Sequence, residues 1–439
     1  MDTEAGASAL VRALTAGDEA AFLAAFFARL AEHDADGAGI TREAFGPGED
    51  AAFALVRRLG EALGLVAATD AAGNLVLRFA EAPPGEAPVV LGSHLDSVPE
   101  GGNFDGAAGI AGALLVAARF RRDGVPPPVP LEVLVLRCEE SPWFDRAYVG
   151  SLALLGGLTP RDLARRHRRS GETLARCLER AGADVARIEA GDRLRDPASI
   201  RAYVEMHIEQ GPVMVARGFP VAPVTGIRGN RRYPTNRITG AAGHSGAVPR
   251  WLRHDTVFAF ADLVSALDGH WEALQERGFD LVVTLGVVHT DPKAGGLTRI
   301  PGELTFSLEF RSQSEATLDA FDGLVRAECE TIAARRGVAF ALDEVVASPP
   351  AKLDPGLQNA LMEAADALAV STEPLASGAG HDAAVFAGAG VPSALVFVRN
   401  EGGSHNPAET MAVADLLVAV DLVHRALAAP AFGRGPVLA

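Results

Sequence analysis

The stretch that decides the fold reads Pro88-Val-Val-Leu-Gly-Ser-His-Leu-Asp96, and a second apolar stretch follows at Pro130-Leu-Glu-Val-Leu-Val-Leu-Arg-Cys-Glu-Glu140. Each opens with a nearly continuous apolar run, which is typical of a strand buried on both faces. The segment 105–122 between them is rich in Ala, Leu and Ile and predicts a helix. Strand, helix and strand in this order indicate a parallel βαβ unit. We therefore expect an α/β domain, a mixed sheet with helices on both faces.

Polar side chains follow both strands at the point where each strand ends. His94 and Asp96 follow the first strand, Glu139 and Glu140 follow the second, and Asp105 opens the helix between them. In parallel sheets the carboxyl ends of the strands meet at one edge, and ligands bind there. The topology alone therefore predicts that these side chains converge.

A second pattern begins near residue 222 and ends near 347. It predicts a strand at 229–240, a helix at 250–268, strands at 280–289 and 303–311, a helix at 315–336 and a strand at 338–346. This β-α-β-β-α-β order is the split βαβ motif of a small α+β domain. We predict an inserted lid or dimerisation domain at 222–347, between the two parts of a catalytic domain at 1–221 and 348–439.

The remaining predicted elements belong to the catalytic domain. They are helices at 8–32 and 49–64, a strand from Gly73, mostly helical structure at 157–200, a strand from Tyr203, a helix at 355–369, a strand at Ser393–Val398 and a helix at 412–428.

The bulk properties exclude several classes of partner. The chain has 439 residues, 48% of them hydrophobic, and a formal net charge of −16. That charge would repel nucleic acid and anionic membranes, so neither is an expected partner. Three cysteines in so long a chain form no disulfide framework, and the N-terminus lacks the pattern of a signal peptide. We expect a cytoplasmic protein.

Each chemistry-bearing residue has an ordinary alternative when it is taken singly. Asp105 could be a helix N-cap, His94 a satisfied strand-end histidine, Glu139 and Glu140 a solvated loop start, His207 part of a half-exposed strand, and His405 a loop histidine between Gly402-Gly403 and Pro407. Together, however, they supply what a dinuclear metal site needs, because nitrogen and oxygen ligands without thiolate suit zinc, manganese or cobalt. A free glutamate beside such a site could act as general base.

The order of the motifs resembles the hydantoinase/carbamoylase family of amidohydrolases, in the zinc peptidase clan. The resemblance covers about residues 20–428. It rests on Ser93-His-Leu-Asp-Ser-Val-Pro, Gly101-Gly-Asn-Phe-Asp-Gly, Glu139-Glu, Glu205-Met-His-Ile-Glu-Gln-Gly-Pro, Thr225-Gly-Ile, Ser377-Gly-Ala-Gly-His-Asp-Ala and Ser404-His-Asn-Pro-Ala-Glu.

The resemblance implies a role for each matching position. His94 and His207 would bind one divalent metal ion, Glu140 and His405 a second, and Asp105 would bridge them. The metal would be zinc or manganese, with cobalt or nickel as alternatives. Glu139 would be the general base and Asp96 the residue that orients His94. Three further positions, Gln210, His244 and Arg311, would contact the substrate, with His244 reaching the active site of the partner in a homodimer formed through the inserted domain.

Several positions depart from the family pattern, and none of them is a metal position. Trp143 stands where relatives often have Arg, Val215 where Glu is common, and Gly243 and Thr298 where Asn is usual. We expect these changes on the substrate side, where the loss of polar contacts favours a less polar substrate than allantoate.

The sequence thus predicts an enzyme that hydrolyses a linear amide, with an N-carbamoyl-L-amino acid as the default small-molecule substrate. A ureide or an N-acyl amino acid is the alternative within the same class. A non-catalytic binding protein is the alternative from a different class, and the intact Glu139 argues against it. A phosphate-binding cofactor fold would need differently spaced glycines from those at 101–106.

Overall fold

The computed structural model describes residues 2–81, 85–291 and 295–433. Met1 and residues 434–439, at the two ends of the predicted catalytic domain, lie outside the described residues. The chain divides into two compact units. Unit 1 comprises Met1–Thr225 and Lys352–Ala439, and unit 2 comprises Gly226–Ala351. The predicted boundaries at 222 and 347 stand within a few residues of these limits.

The first part of unit 1 alternates helices and strands. Its helices are α1 Asp2–Ala16, α2 Glu19–Asp34, α3 Pro47–Ala62, α4 Ala107–Asp123, α5 Val149–Leu155, α6 Pro160–Leu163, α7 Leu174–Arg180, α8 Val185–Glu189 and α9 Val213–Arg217. Its strands are β1 Ala35–Asp36, β2 Gly39–Ile40, β3 Leu65–Thr69, β4 Leu75–Phe79, β5 Val89–His94, β6 Leu131–Leu136, β7 Ala202–Ile208 and β8 Val221–Ile227.

Unit 2 and the second part of unit 1 complete the chain. Unit 2 contains β9 Gly229–Thr239, β10 Gly243–His244, α10 Thr256–Glu276, β11 Val282–Thr284, β12 Val288–His289, β13 Arg299–Ile300, β14 Glu303–Ser312, α11 Glu315–Arg336, β15 Ala339–Ala341 and β16 Val346–Ser348. There follow β17 Ala351–Lys352, α12 Pro355–Ala367, β18 Leu375–Ser377, α13 Asp382–Gly388, β19 Ser393–Val398, β20 Asn400–Glu401, β21 Thr410–Met411, α14 Val413–Ala426 and α15 Pro430–Gly433.

The sheet of unit 1 is mixed, as the sequence predicts. Its strands follow the order β17-β8-β19-β7-β5-β6-β4-β3. The central strands β19, β7, β5 and β6 are parallel, whereas β8, β4 and β3 run antiparallel to their neighbours. The antiparallel strands β3 and β4 at one edge are joined by the short connection 70–74, whereas parallel neighbours need longer crossover connections.

The strand β7 shows why helices cover both faces of this sheet. Val204 and Met206 belong to the large apolar core that includes α4. Tyr203 points to the other face, where its ring stacks on Phe386 of α13 with the ring centroids 3.9 Å apart. Alternate residues therefore face different helical layers, and His207 lies at a position with the parity of Tyr203.

The split βαβ pattern predicted for residues 222–347 is present in unit 2. The main path of its sheet is β11-β14-β9-β15, and its separate core packs the sheet against α10 and α11. The strand predicted at 280–289 is broken into β11 and β12, which both pair with β14. Among the described residues, no helix combines the length and the apolar character that crossing a membrane requires.

One helix predicted from the sequence is two separate helices, α1 and α2, in the structure. The segment 8–32 is interrupted at Gly17, which has a φ of 81°, and Asp18 caps the second helix by accepting the amide hydrogen of Ala21 at 3.2 Å. A left-handed glycine followed by an aspartate N-cap ends one helix and starts the next. Both residues were visible in the sequence, but the apolar periodicity continues across them.

Candidate metal centre and active site

Four neighbouring parallel strands carry the predicted ligands to one edge of the sheet. His94 ends β5, His207 is the last residue but one of β7, Glu140 follows β6 and His405 follows β19. Asp105 lies just before α4. The structure brings all five side chains together, since ligand atoms within each of two groups, His94–Asp105–His207 and Asp105–Glu140–His405, lie within 4.8 Å of one another.

Asp105 belongs to both groups, and its two oxygens face different partners. Its Oδ1 lies 3.1 Å from Nε2 of His207 and 3.6 Å from Nε2 of His94. Its Oδ2 lies 3.4 Å from Nε2 of His405, which in turn is 3.3 Å from Oε1 of Glu140. Asp105 is not the helix cap considered as the alternative, because α4 has Gly106 at its N-cap and no side-chain cap. This is the arrangement that a bridging carboxylate requires.

The chemistry of the donor set fits divalent metal ions. Buried carboxylates are costly unless positive charge neutralises them, and Asp105, Glu139 and Glu140 are all buried at this edge. The carboxylates already favour positive charge here, since contacts with Asp105 and Glu140 raise the pKa of His405 to about 11. Imidazole and carboxylate donors without a thiolate are ligands suited to zinc or manganese.

Glu139 lies beside the ligand groups without belonging to either of them. Its Oε2 is 3.9 Å from Nε2 of His94, and the residue is 8% exposed. Burial, together with the charge of Glu140, raises the pKa of the Glu139 carboxyl well above its ordinary value. A carboxylate of raised pKa next to a metal centre is suited to accept and return a proton near neutral pH.

Asp96 makes more contacts than the predicted one with His94. Nδ1 of His94 lies 3.0 Å from the main-chain oxygen of Asp96 and 3.4 Å from its Oδ1. The carboxylate also accepts the amide hydrogens of Glu139 at 2.9 Å and Glu140 at 3.1 Å. Asp96 therefore connects the loop that follows His94 to the loop that carries Glu139 and Glu140.

Gln210 lies among the candidate metal ligands, whereas the sequence predicted only that it contacts the substrate. Its Nε2 donates to Oδ2 of Asp105 at 2.7 Å and lies 3.4 Å from Nε2 of His405. Its backbone has a φ of 64°, and its amide donates to Oδ1 of Asn400 at 2.9 Å. Its Oε1 is buried and has no hydrogen-bond partner among the described residues.

A third group of buried side chains shares His207 with the first group, and its other two members were assigned no role in the sequence analysis. Glu205, His207 and His381 form a further ligand-like cluster. The rings of His207 and His381 are 4.4 Å apart, and burial lowers the pKa of His381 well below its ordinary value. Glu205 shares the face of His207 by strand alternation, which is the signal that could have pointed to it. His381 could not be placed, because it follows a loop.

His244 and Arg311 are described within unit 2. His244 is exposed at the end of β10, where it pairs with Arg299 of β13, and its Nδ1 accepts the amide hydrogen of Gly246 at 3.1 Å. Arg311 lies on β14 with its NH2 3.0 Å from Oε2 of Glu309. Their predicted contacts with a substrate stay predictions.

The departures from the family pattern occupy different environments. Gly243 and Thr298 line a cavity of about 350 Å³ together with His244. Val215 is 43% exposed on α9. Trp143, by contrast, is fully buried, donates from Nε1 to the main-chain oxygen of Ser97 at 2.9 Å and stacks on another ring. Trp143 therefore packs beneath the site and does not face a substrate, contrary to the expectation from the sequence.

Known proteins resemble this chain over most of its length. The sequence profile of peptidase family M20/M25/M40 matches residues 90–429. An N-carbamoyl-L-amino acid amidohydrolase from Geobacillus stearothermophilus is 34% identical over 387 residues, which cover 88% of this chain and 92% of that protein. An allantoate amidohydrolase from Escherichia coli is 30% identical, with 81% and 84% covered. A crystal structure of a hydantoinase/carbamoylase family amidase from Burkholderia multivorans superposes with a TM-score of 0.82 at 30% identity, covering 91% and 95% of the two chains.

Proposed function

The chain belongs to peptidase family M20/M25/M40 and is a hydrolase of carbon–nitrogen bonds other than peptide bonds, and from this premise we propose that it hydrolyses an N-carbamoyl-L-amino acid. The support for this substrate is the similarity to two N-carbamoyl-L-amino acid amidohydrolases, at 34% and 31% identity. Allantoate amidohydrolases at 30% identity make a ureide the second candidate.

The observation that carries the proposed chemistry is the position of Asp105 between two sets of donors. We propose two divalent ions, zinc or manganese, one held by His94 and His207 and the other by Glu140 and His405, with Asp105 shared. The support is that Oδ1 and Oδ2 of Asp105 each lie within 3.6 Å of different imidazoles. When bound, such ions would polarise the substrate carbonyl and lower the pKa of a water molecule.

Glu139 is the proposed general base. Its carboxylate would accept a proton from the attacking water and deliver it to the nitrogen that leaves when the C–N bond breaks. The raised pKa of this buried carboxyl supports the role, because the group must both take and return a proton near neutral pH. Asp96 would hold the main chain of Glu139 in place through the amide hydrogen bond at 2.9 Å.

Substrate recognition and assembly form the second part of the proposal. We propose that Gln210, His244 and Arg311 contact the substrate, since the buried Oε1 of Gln210 has no partner within the described chain and Arg311 carries a guanidinium that suits a carboxylate. We further propose a homodimer formed through unit 2. Its support is a set of exposed apolar side chains in this unit, including Val257, Phe258 and Val288.

The test is hydrolysis by protein loaded separately with manganese and with zinc. N-carbamoyl-L-amino acids, their D-enantiomers, N-acyl amino acids and ureides are offered in parallel, and ammonia and free amine are measured. We expect ammonia from the carbamoyl-L compounds, loss of activity after exhaustive chelation, and recovery on adding the metal back. Activity that survives both chelation and Glu139→Ala would overturn the proposed mechanism, and turnover of ureides alone would replace the proposed substrate.

A further inference from the structure

Glu409 is a buried carboxylate that joins two ligand-bearing loops. It is 4% exposed and lies just before β21. Its Oε1 accepts the amide hydrogens of Phe104 at 2.9 Å and Asp105 at 3.2 Å, immediately before α4. Its Oε2 lies 2.6 Å from the hydroxyl of Ser404, the residue before His405. The side chain of Glu409 thus contacts the main chain of Asp105 and the loop that carries His405, although these two segments are far apart in the sequence.

Ser404 extends this connection to the bridging carboxylate itself. Its hydroxyl lies 2.7 Å from Oδ2 of Asp105 as well as 2.6 Å from Glu409. Oδ2 is the oxygen of Asp105 that faces His405. The connection from Glu409 through Ser404 therefore reaches Oδ2 of Asp105, the oxygen on the side of Glu140 and His405.

The space around Glu409 is closely filled. A Cβ atom added to Gly102 would lie 2.1 Å from Oε1 of Glu409, so the loop before Asp105 approaches this carboxylate as closely as a glycine allows. Such a close approach leaves the carboxyl group little room to move.

His405 depends on its loop for its position. The loop joins β20 to β21, and Gly402, Gly403 and His405 all have positive φ values, at 76°, 72° and 60°. The side chain of His405 is 50% exposed, whereas those of His94 and His207 are at most 2% exposed. Burial and the hydrogen bonds of their Nδ1 atoms to main-chain oxygens therefore hold His94 and His207, while the half-exposed His405 relies on hydrogen bonds at the base of its loop.

We propose that Glu409 is a positioning residue that holds the His405 loop against Asp105, and that its loss weakens the cation site of Glu140 and His405 more than that of His94 and His207. This inference rests on the proposed metal-dependent function. Residues that hydrogen-bond to metal ligands contribute about 10- to 100-fold to metal affinity. Here we expect that contribution at the site of His405, the half-exposed ligand.

The experiment titrates the metal-free full-length chain with zinc against a chromophoric chelator and fits two affinities. The site that each affinity reports is assigned from His405→Ala and His207→Ala. We expect Glu409→Ala to weaken the site lost in His405→Ala by about 10- to 100-fold and to leave the other within about threefold. Glu409→Gln should stay near the wild type, because its amide oxygen can accept both main-chain hydrogens and its amino group can donate to Ser404. Glu401→Ala, an exposed glutamate of the same hairpin, is the matched control.

Several outcomes would overturn the inference. Unchanged zinc affinities in a folded Glu409→Ala variant would overturn it. A Glu409→Gln variant that binds zinc as weakly as Glu409→Ala would also overturn it, because the charge of Glu409 and not its hydrogen bonds would then matter. If Glu409→Ala does not fold, Ser404→Ala removes only the hydroxyl link, and two unchanged affinities in that variant would contradict the proposed connection. A wild-type chain that binds no zinc would overturn the proposed function and this inference together, whereas wild-type binding with an unaffected Glu409→Ala would overturn this inference alone.

Discussion

Glu139 and its neighbours show how closely position and role are linked at the scale of single residues. Adjacent residues after β6 diverge, so that Glu140 joins the ligand group of Asp105 and His405 while Glu139 stays outside both groups. Their amides are held by the one carboxylate of Asp96. Two chemically identical side chains thus acquire different environments from a difference of one position.

The first prediction concerns the proposed base. We expect Glu139→Gln to lower kcat by about 10²- to 10⁴-fold, because general base catalysis contributes on this order. The metal content should stay at the wild-type level, since Glu139 is in neither ligand group. Steady-state kinetics and elemental analysis of the same preparation check both parts, and loss of metal along with activity would show that Glu139 is a ligand.

The second residue prediction concerns Glu49, which is fully buried beneath the loop of the two glutamates. Its Oε2 lies 2.6 Å from NH1 of Arg137, and its Oε1 accepts the amide hydrogen of Cys138 at 3.2 Å. Burial outweighs the charge of Arg137 and raises the pKa of Glu49 from 4.5 to about 7. The folded chain therefore binds more protons here than the unfolded chain between these pH values, so this contribution to stability is lost as the pH rises through 7.

We expect the cost of Glu49→Gln to shrink between pH 5 and pH 8, because the glutamine cannot titrate. Urea unfolding of both proteins at the two pH values gives the difference in the free energy of unfolding, and chelated samples exclude any effect of bound metal. A cost that grows with pH would mean that the ion pair with Arg137 outweighs burial.

At the scale of the element, α4 determines where Asp105 stands. This helix lies against β5 and β7, and Gly109 permits the contact, since an added Cβ atom would lie 2.2 Å from the main-chain oxygen of Met206. Gly323 in α11 has no neighbour within 4 Å of its added Cβ atom. Both glycines are inside helices, yet only one of them is required by packing.

The two glycines therefore predict opposite effects. Gly109→Ala should lower the free energy of unfolding by about 1–3 kcal/mol, because extra volume in a packed contact forces the backbone to move. Gly323→Ala should raise it by about 0.5–1 kcal/mol, because alanine is the better helix former at an open position. Urea denaturation measures both, and a destabilising Gly323→Ala would contradict the open environment.

At the scale of the whole molecule, the chain leaves the first unit once and returns to it once. Unit 2 has a core of its own, in which α10 and α11 pack on the sheet of β9 and β14. It also carries exposed large apolar side chains, with Phe258 at 54% and Val288 at 50% exposure. Contiguous patches of exposed apolar side chains mark surfaces that another protein covers.

We expect a homodimer through unit 2 that Phe258→Asp weakens, because an unpaired charge in an apolar interface is costly to bury. Sedimentation velocity over a concentration series should give twice the mass of one chain for the wild type and a shift towards one chain for the variant. Val66→Asp, at a side chain of unit 1 that is 51% exposed, should leave the mass unchanged. A wild-type monomer at every concentration would rule out the dimer.

The sequence by itself determined the class of fold and the convergence of His94, Asp105 and Glu140, because strand ends and helix starts follow from apolar periodicity and parallel strands bring their carboxyl ends to one edge. The inclusion of His207 and His405 in the proposed ligand set came from the family resemblance. The sequence also determined the family, through the order of its motifs. It could not assign partners that depend on contacts over long stretches of chain. Only the tertiary structure decided that the two oxygens of Asp105 face different imidazoles and that Gln210 donates to Asp105. The tertiary structure also decided that Trp143 packs beneath the site and that Glu409, 304 residues after Asp105, accepts the amide hydrogen of Asp105. The physical reason is that periodicity reports which face of an element a residue occupies, whereas hydrogen-bond partners follow from how separate loops fold against one another.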